Sequence, residues 1–212
     1  MPAQPPKSTK SAKSAQTRQR ILDAAASVLA VKGYAGTRMA DIAEVADYPA
    51  PAMYYYFGSR EELVNEVLLL GIRRTREFVE EALDGLPDET PSVGRIRAAV
   101  EAHLKVAVEN LDYARAATRN MAQLPAEVRG HQLKERALYG DLWRELLEAA
   151  RASGDISANL DLGVARMYVL GALNWLPEWW KPDSSSIEST ARTITLLTCS
   201  GLFGPTPDAG DD

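Results

Sequence analysis

The 212-residue chain predicts an all-α fold of about nine helices, opening on an N-terminal three-helix helix-turn-helix unit. Apolar residues recur at helical spacing along nearly the whole sequence, and no run alternates as a half-buried strand would. The stretch Thr37 to Glu62, TRMADIAEVADYPAPAMYYYFGSREE, packs two short helical patterns, a tight polar turn and a tyrosine cluster into one unit. Polar segments rich in Pro and Gly, such as GLPDETPS from Gly85, separate the later helices.

From the N-terminus, residues 1–16 read as a disordered basic arm. Thr17 can cap a first helix carrying Ile21, Ala24, Ala25, Val28 and Leu29 on one face, which Gly33 ends. Thr37 offers a second cap, leading to Met39, Ile42, Ala43 and either Val45 or Ala46 inward. Asp47 tolerates a left-handed turn, and Pro49 disfavours helical geometry at Tyr48. A very short helix follows from Ala50 or Pro51 to Tyr56, and Gly58 stops it. Ser59 to Glu62 has the form of a capping box, so a long helix starts there and runs toward Leu83. Further helices are predicted over Ile96 to Leu111, Tyr113 to Met121, Ala126 to Ala152, Leu162 to Leu176 and Ile187 to Phe203. The helix from Ala126 should turn Leu133, Ala137, Leu138, Leu142, Leu146 and Ala149 inward, with Gly154 as its stop; Asp161 caps the next. Residues 204–212 read as a disordered tail, giving units at 1–16, 17–62, 63–203 and 204–212.

Composition is that of a soluble globular protein, 46% hydrophobic and 25% charged. The single Cys199 excludes a disulfide framework and reads as a small buried hydrophobe, so a reducing, cytoplasmic setting is expected. No secretory leader or membrane span is expected, since the apolar segment Val164 to Trp180 is interrupted by Arg166, Asn174, Pro177 and Glu178. The net charge of −5 is unevenly placed: residues 1–60 hold eight Lys/Arg against four Asp/Glu, which leaves −9 on the rest. Polyanion binding needs only such a local basic footprint.

A helix-turn-helix lays its second helix in the major groove while hydroxyls, helix starts and cations hold the phosphates. Thr37, Tyr54, Tyr55, Tyr56 and Arg60 place such groups close together. Met53 and Phe57 must then anchor the short helix to the core, with Tyr54 half-buried and only its hydroxyl emerging.

These residues carry a resemblance. Ile21, Ala24, Ala25, Gly33, Tyr34, Thr37, Ile42, Ala43, Met53, Tyr54, Tyr56, Phe57, Ser59, Arg60 and Glu61 fall where the DNA-binding domain of the tetracycline-repressor (TetR) family has its pattern. The resemblance implies phosphate contacts from Tyr54, Tyr56 and Arg60 and base contacts from Pro49 to Tyr55, with double-stranded operator DNA as partner. Asp47, Tyr48, Pro49 and Pro51 depart from the usual turn, and Arg38 stands where a second hydroxyl is common. The surface Pro49-Ala50-Pro51-Ala52-Met53 has no side chain for bidentate base contacts, so readout through thymine methyls at Ala50 and Ala52, with Tyr55, is expected. Arg38, Lys13 and Arg18 would add contacts sensitive to groove shape.

For the C-terminal part, the resemblance implies a ligand-binding and dimerisation domain. The segment Gly171 to Asp183, GALNWLPEWWKPD, is similar to a subgroup motif of Asn-Trp, a second Trp and a Lys/Arg-Pro-Asp turn, some of whose bearers answer to lipid-derived or coenzyme A thioester ligands. Effector-pocket candidates are His103, Ala107, Arg119, Met121, Tyr139, Trp143, Met167, Tyr168, Gly171 and Asn174. Asn174 must find a hydrogen-bond partner, either capping a neighbouring helix or facing the pocket; Arg119 would pair an anionic ligand if buried, or lie on the surface. Leu170, Trp175, Trp179, Ile194, Leu197 and Phe203 are the candidates for a homodimer interface.

An enzyme is not expected. Two histidines and one cysteine leave little for nucleophilic or metal chemistry, His131 and Glu135 at i, i+4 read better as a surface pair than as metal ligands, and no cofactor is implied. The expectation is a homodimeric repressor released from a pseudo-palindromic operator by a small apolar or acyl-thioester-like effector. The rival is a helical small-molecule-binding protein that has lost DNA affinity.

Overall fold

A computed structural model of the protein describes residues 7–120, 123–181, 183 and 186–203. Among them are nine helices: α1 (Lys7–Gly36), α2 (Met39–Ala46), α3 (Ala50–Met53), α4 (Arg60–Asp84), α5 (Ser92–Glu109), α6 (Leu111–Asn120), α7 (Ala126–Ala152), α8 (Leu162–Trp179) and α9 (Ile187–Phe203). The chain is all-α, as the periodicity predicts.

The local signals are realised at most boundaries. Ser59 accepts a hydrogen bond from the Glu62 N–H to start α4, while the Glu62 carboxylate reaches back to the Gly58 N–H. Asp161 accepts from the N–H groups of Gly163 and Val164 at the start of α8. Asp47 takes the left-handed conformation that closes α2. Gly33 breaks α1 at φ 67, ψ 175, a backbone that residues with a Cβ avoid.

Other expectations are corrected. α1 begins at Lys7, so Thr17 lies within it, and its hydroxyl donates to the Lys13 carbonyl instead of capping. α2 starts after Arg38, not Thr37, and Asp41 accepts from the Arg38 N–H. α3 ends at Met53, and Tyr54 to Tyr56 form a hydrogen-bonded turn. Pro177 does not end α8, because a proline there removes one bond near the helix end and its carbonyl is taken by Arg115. α7 keeps the predicted Leu142 and Leu146 on its inner face but is otherwise rotated: Leu133, Ala137, Leu138 and Ala149 are exposed, while Gln132, Glu135, Tyr139, Trp143 and Leu147 are buried.

Two cores result. One joins Ile21, Leu22, Val28 and Leu29 of α1 to Ile42, Met53 and Phe57, and also to Leu63 and Val67 of α4 and Tyr113 and Ala116 of α6. The second gathers Val79, Val100, Leu104, Tyr139, Trp143, Val169 and Leu173 from α4, α5, α7 and α8. α4 runs through both, so the helices of the N-terminal unit are packed directly on the start of α4 and on α6.

Candidate DNA-binding surface and effector cavity

The outer face of the helix-turn-helix is built by burying its inner one. Met53 and Phe57 are fully buried, which leaves Pro49, Pro51, Tyr54 and Tyr55 on the outside, with Ala50 and Ala52 half-exposed between them. Tyr55 is 84% exposed and Tyr54 53%. The half-buried tyrosine is Tyr56, not Tyr54. Its ring meets Tyr48 and Tyr55 edge-on.

Three expected contacts are spent inside the protein. Thr37 is 1% exposed, and its hydroxyl donates to the Gly33 carbonyl, which secures the bend between α1 and α2. Arg60 donates to the carbonyls of Tyr34 (3.0 Å) and Thr37 (2.8 Å) and stacks over the Tyr34 ring, so its charge braces the same bend. Arg18 forks onto Glu66 of α4 and covers the Phe57 ring. Thr37, Arg60 and Arg18 therefore position the unit. Among the described side chains, the exposed cations on its α1–α2 side include Lys13, Arg20 and Arg38; Lys32 is paired with Asp41. Arg20, which lies over the Tyr48 ring, was not singled out by its sequence context, since only the fold places it beside the turn.

Behind this surface, α6 is fastened to α1. Asn120 is fully buried; its amide accepts from the Tyr34 N–H and donates to the carbonyls of Leu29 and Ala116. Arg119 donates to the Ala30 carbonyl (2.7 Å) and pairs with Glu178 of α8 (2.8 Å). Tyr113 donates to Asp23, and burial together with that bond holds its hydroxyl above the usual tyrosine range. Arg119 is thus a clasp between helices and not a pocket residue.

The opposite face of α6 lines a cavity of about 570 Å³ between α4, α5, α6, α7 and α8. Small residues make the room: Gly71, Ala107, Ala114, Ala117, Ala137, Gly140 and Gly171. Of the predicted pocket residues, His103, Ala107, Tyr139, Met167, Gly171 and Asn174 line it. Asn174 faces the cavity with its amide donated to Leu170 of its own helix. Trp143 is wholly inside the second core, and Tyr168 is exposed and does not line the cavity. Met121 lies outside the described residues. His103 bonds the Tyr139 hydroxyl at 2.8 Å, and burial pulls its pKa down to about 4, so this pair is neutral at pH 7. Gly71, Ala114, Ala117, Ala137, Gly140 and Arg136 were missed because nothing local distinguishes them from ordinary helix positions.

Trp175 and Trp179 on α8 and Leu197 on α9 are exposed, together with Val164, Met167, Tyr168 and Leu196. Leu170, Ile194 and Phe203 are not; they turn toward the second core, away from the exposed stripe. Among the described residues, no cluster could hold a metal ion, and Glu135 is taken by Arg76, not by His131. No described helix is long and apolar enough to cross a membrane.

A short solvent-facing helix held by a buried back, set on a helical body with a cavity, is the architecture of a helix-turn-helix domain carried on a second helical domain. Residues 21–67 match the family described as "Bacterial regulatory proteins, tetR family", and residues 89–202 match "Tetracyclin repressor-like, C-terminal domain". The chain belongs to the tetracycline-repressor family of DNA-binding transcriptional repressors. It is similar to the HTH-type transcriptional repressor KstR2 of Rhodococcus jostii, 27% identical over 213 residues that cover 95% of this chain and 98% of the relative. Among solved structures, the TetR-family regulator PfmR from Thermus thermophilus superposes with TM-score 0.75 at 29% identity, over 86% of this chain and 98% of that one. AibR, solved with isovaleryl coenzyme A and operator DNA, shares the fold at TM-score 0.76 and 23% identity, over 90% of this chain and all (100%) of that one.

Proposed function

We propose that the protein is a cytoplasmic homodimeric repressor that holds a pseudo-palindromic operator through α2 and α3 and lets go when a small apolar or acyl-thioester-like molecule enters the cavity. The observation that carries this reading is the shared wall: α6 lines the cavity through Ala114, Ala117 and Thr118 and grips α1 through Arg119 and Asn120. A molecule that resets α6 also resets the recognition helix. Release then follows from unequal affinity of the ligand for the two arrangements. An apolar effector fits a wall in which Ala, Gly, Ile, Leu, Met and Pro together outnumber the polar residues. The isovaleryl coenzyme A bound by AibR is an example of such chemistry in a protein of this fold.

Operator reading rests on Ala50 and Ala52, which present methyl groups and no hydrogen-bonding atoms, flanked by the exposed Tyr55. Lys13, Arg20 and Arg38 supply phosphate and groove contacts. Selection from a random duplex pool should return two A·T-rich half-sites with centres about 34–36 Å apart. Replacing both alanines (Ala50→Gly, Ala52→Gly) should relax the thymine preference at the matching positions. An unchanged base preference in that variant would remove the methyl-readout assignment.

A further inference from the structure

The cavity holds more positive charge than its walls compensate. Arg136, Arg144 and Arg166 line it against a single acid, Asp141. Arg144 is paired with Asp141 at 2.7 Å, and Arg166 donates to the Gly140 carbonyl. Arg136 stands differently. One terminal nitrogen donates to the Ala117 carbonyl of α6 at 3.0 Å, while its Nε is buried with no hydrogen-bond partner. Among the described residues no carboxylate lies within ion-pair reach of it, and the adjacent Glu135 is turned away into a network with Arg76 and Arg73. Burial lowers the Arg136 pKa from its ordinary value, as expected for a cation withdrawn from water without a counter-ion. A guanidinium keeps its proton in proteins, so the missing element is an anion.

We infer that the effector is an amphipathic anion: an apolar chain occupying the space between Ile72, Ala107, Met167 and Leu170, with an anionic group seated on Arg136. The inference rests on the reading of this cavity as the effector site. The anion comes either from the carboxylate of a free hydrophobic acid or from the phosphates of its coenzyme A thioester; both satisfy a guanidinium through charge-assisted hydrogen bonds. Neutral polar lining from Thr118 and the His103–Tyr139 pair adds no competing charge at pH 7. Because Arg136 also holds the Ala117 carbonyl, an anion drawn to its guanidinium acts at the joint between α7 and the helix that grips α1.

The test is calorimetric titration of the full-length protein with decanoate, decanoyl coenzyme A and decanol. At least one of the two anions should bind about tenfold or more tightly than decanol. An Arg136→Gln variant, which keeps a donor for Ala117, should bind anion and alcohol alike, while Arg136→Lys should retain part of the preference. Decanoate preference assigns the free acid, and preference for the thioester alone assigns the phosphates; either result supports the inference. Equal binding of all three by the wild-type protein, or an anion preference that survives in Arg136→Gln, overturns it and leaves the cavity reading intact. Binding of none of the three overturns both for acyl chains. Equal binding by the wild-type protein overturns the inference whatever the variants do, and Arg136→Lys carries the residue-level test where Arg136→Gln fails to fold.

Discussion

A Trp175→Glu, Leu197→Glu double variant is expected to be monomeric in sedimentation and to bind operator-length DNA about a hundredfold or more weakly than the wild-type protein. The expectation follows from what α8 and α9 leave uncovered. Val164, Met167, Tyr168, Trp175 and Trp179 recur on one side of α8, and Leu196 and Leu197 stand out from α9, all exposed in the single chain. Soluble monomers seldom display apolar side chains of this size in such a group, and their natural partner is the same face of a second copy. A carboxylate in each helix would have to be desolvated on association, at a cost of several kcal/mol apiece. Once monomeric, the protein engages one half-site, and the second recognition helix no longer binds at the high local concentration that dimerisation supplies. The variant should keep its helical circular dichroism, because neither residue belongs to the buried core. A double variant that stays dimeric would place the interface elsewhere.

Asn120→Ala is expected to destabilise the protein by about 3 kcal/mol in denaturant unfolding. The side chain satisfies the part-buried Tyr34 N–H and the buried Leu29 carbonyl near the end of α1, and alanine leaves both without that partner, a loss of about 1–3 kcal/mol for each buried group left unpaired. A cavity beside Gly33 adds to the loss, since the Asn120 carbonyl oxygen lies 3.6 Å from where a Cβ would sit on that glycine. The functional signature should be larger than the stability change implies. Effector affinity is expected to hold, because Asn120 does not line the cavity, while the weakening of DNA binding by effector should shrink toward none. Gel-shift titrations with and without saturating ligand measure that ratio. An Asn120→Ala protein that is as stable and as responsive as the wild-type would show that α6 does not transmit through this contact.

How far the sequence could be read depended on the reach of each interaction. The bounds Ala126–Ala152 and Ile187–Phe203 were legible because Pro125, Gly154 and the polar loop before Ile187 punctuate the chain locally. The inward face of α7 was not. Its buried side includes Gln132 and Glu135, whose polarity is satisfied by Asn65 and Arg76 on α4, and a helical pattern alone favours the leucines that in fact face out. The same limit applies to the recognition unit. The anchoring of Met53 and Phe57 followed from spacing, but Arg18 and Arg60 looked available for phosphate because Glu66 and the Tyr34 and Thr37 carbonyls are distant in sequence. In the C-terminal domain, residues on several of the helices that enclose the cavity could be guessed as a set, whereas Trp143 and Tyr168 differ from true lining residues only by helix rotation.

The repressor reading requires that this chain bind DNA through its N-terminal unit. The direct measurement is fluorescence anisotropy with a duplex from the protein's own upstream region, titrated between about 50 and 200 mM salt. Lys13, Arg20 and Arg38 are exposed on each subunit, so about six phosphate contacts per dimer predict a slope of log K against log salt of about −5, an affinity loss of about a thousandfold over that range. Absence of binding at the low-salt end, or binding indifferent to salt, would overturn this picture and mark the protein as a helical ligand binder without an operator.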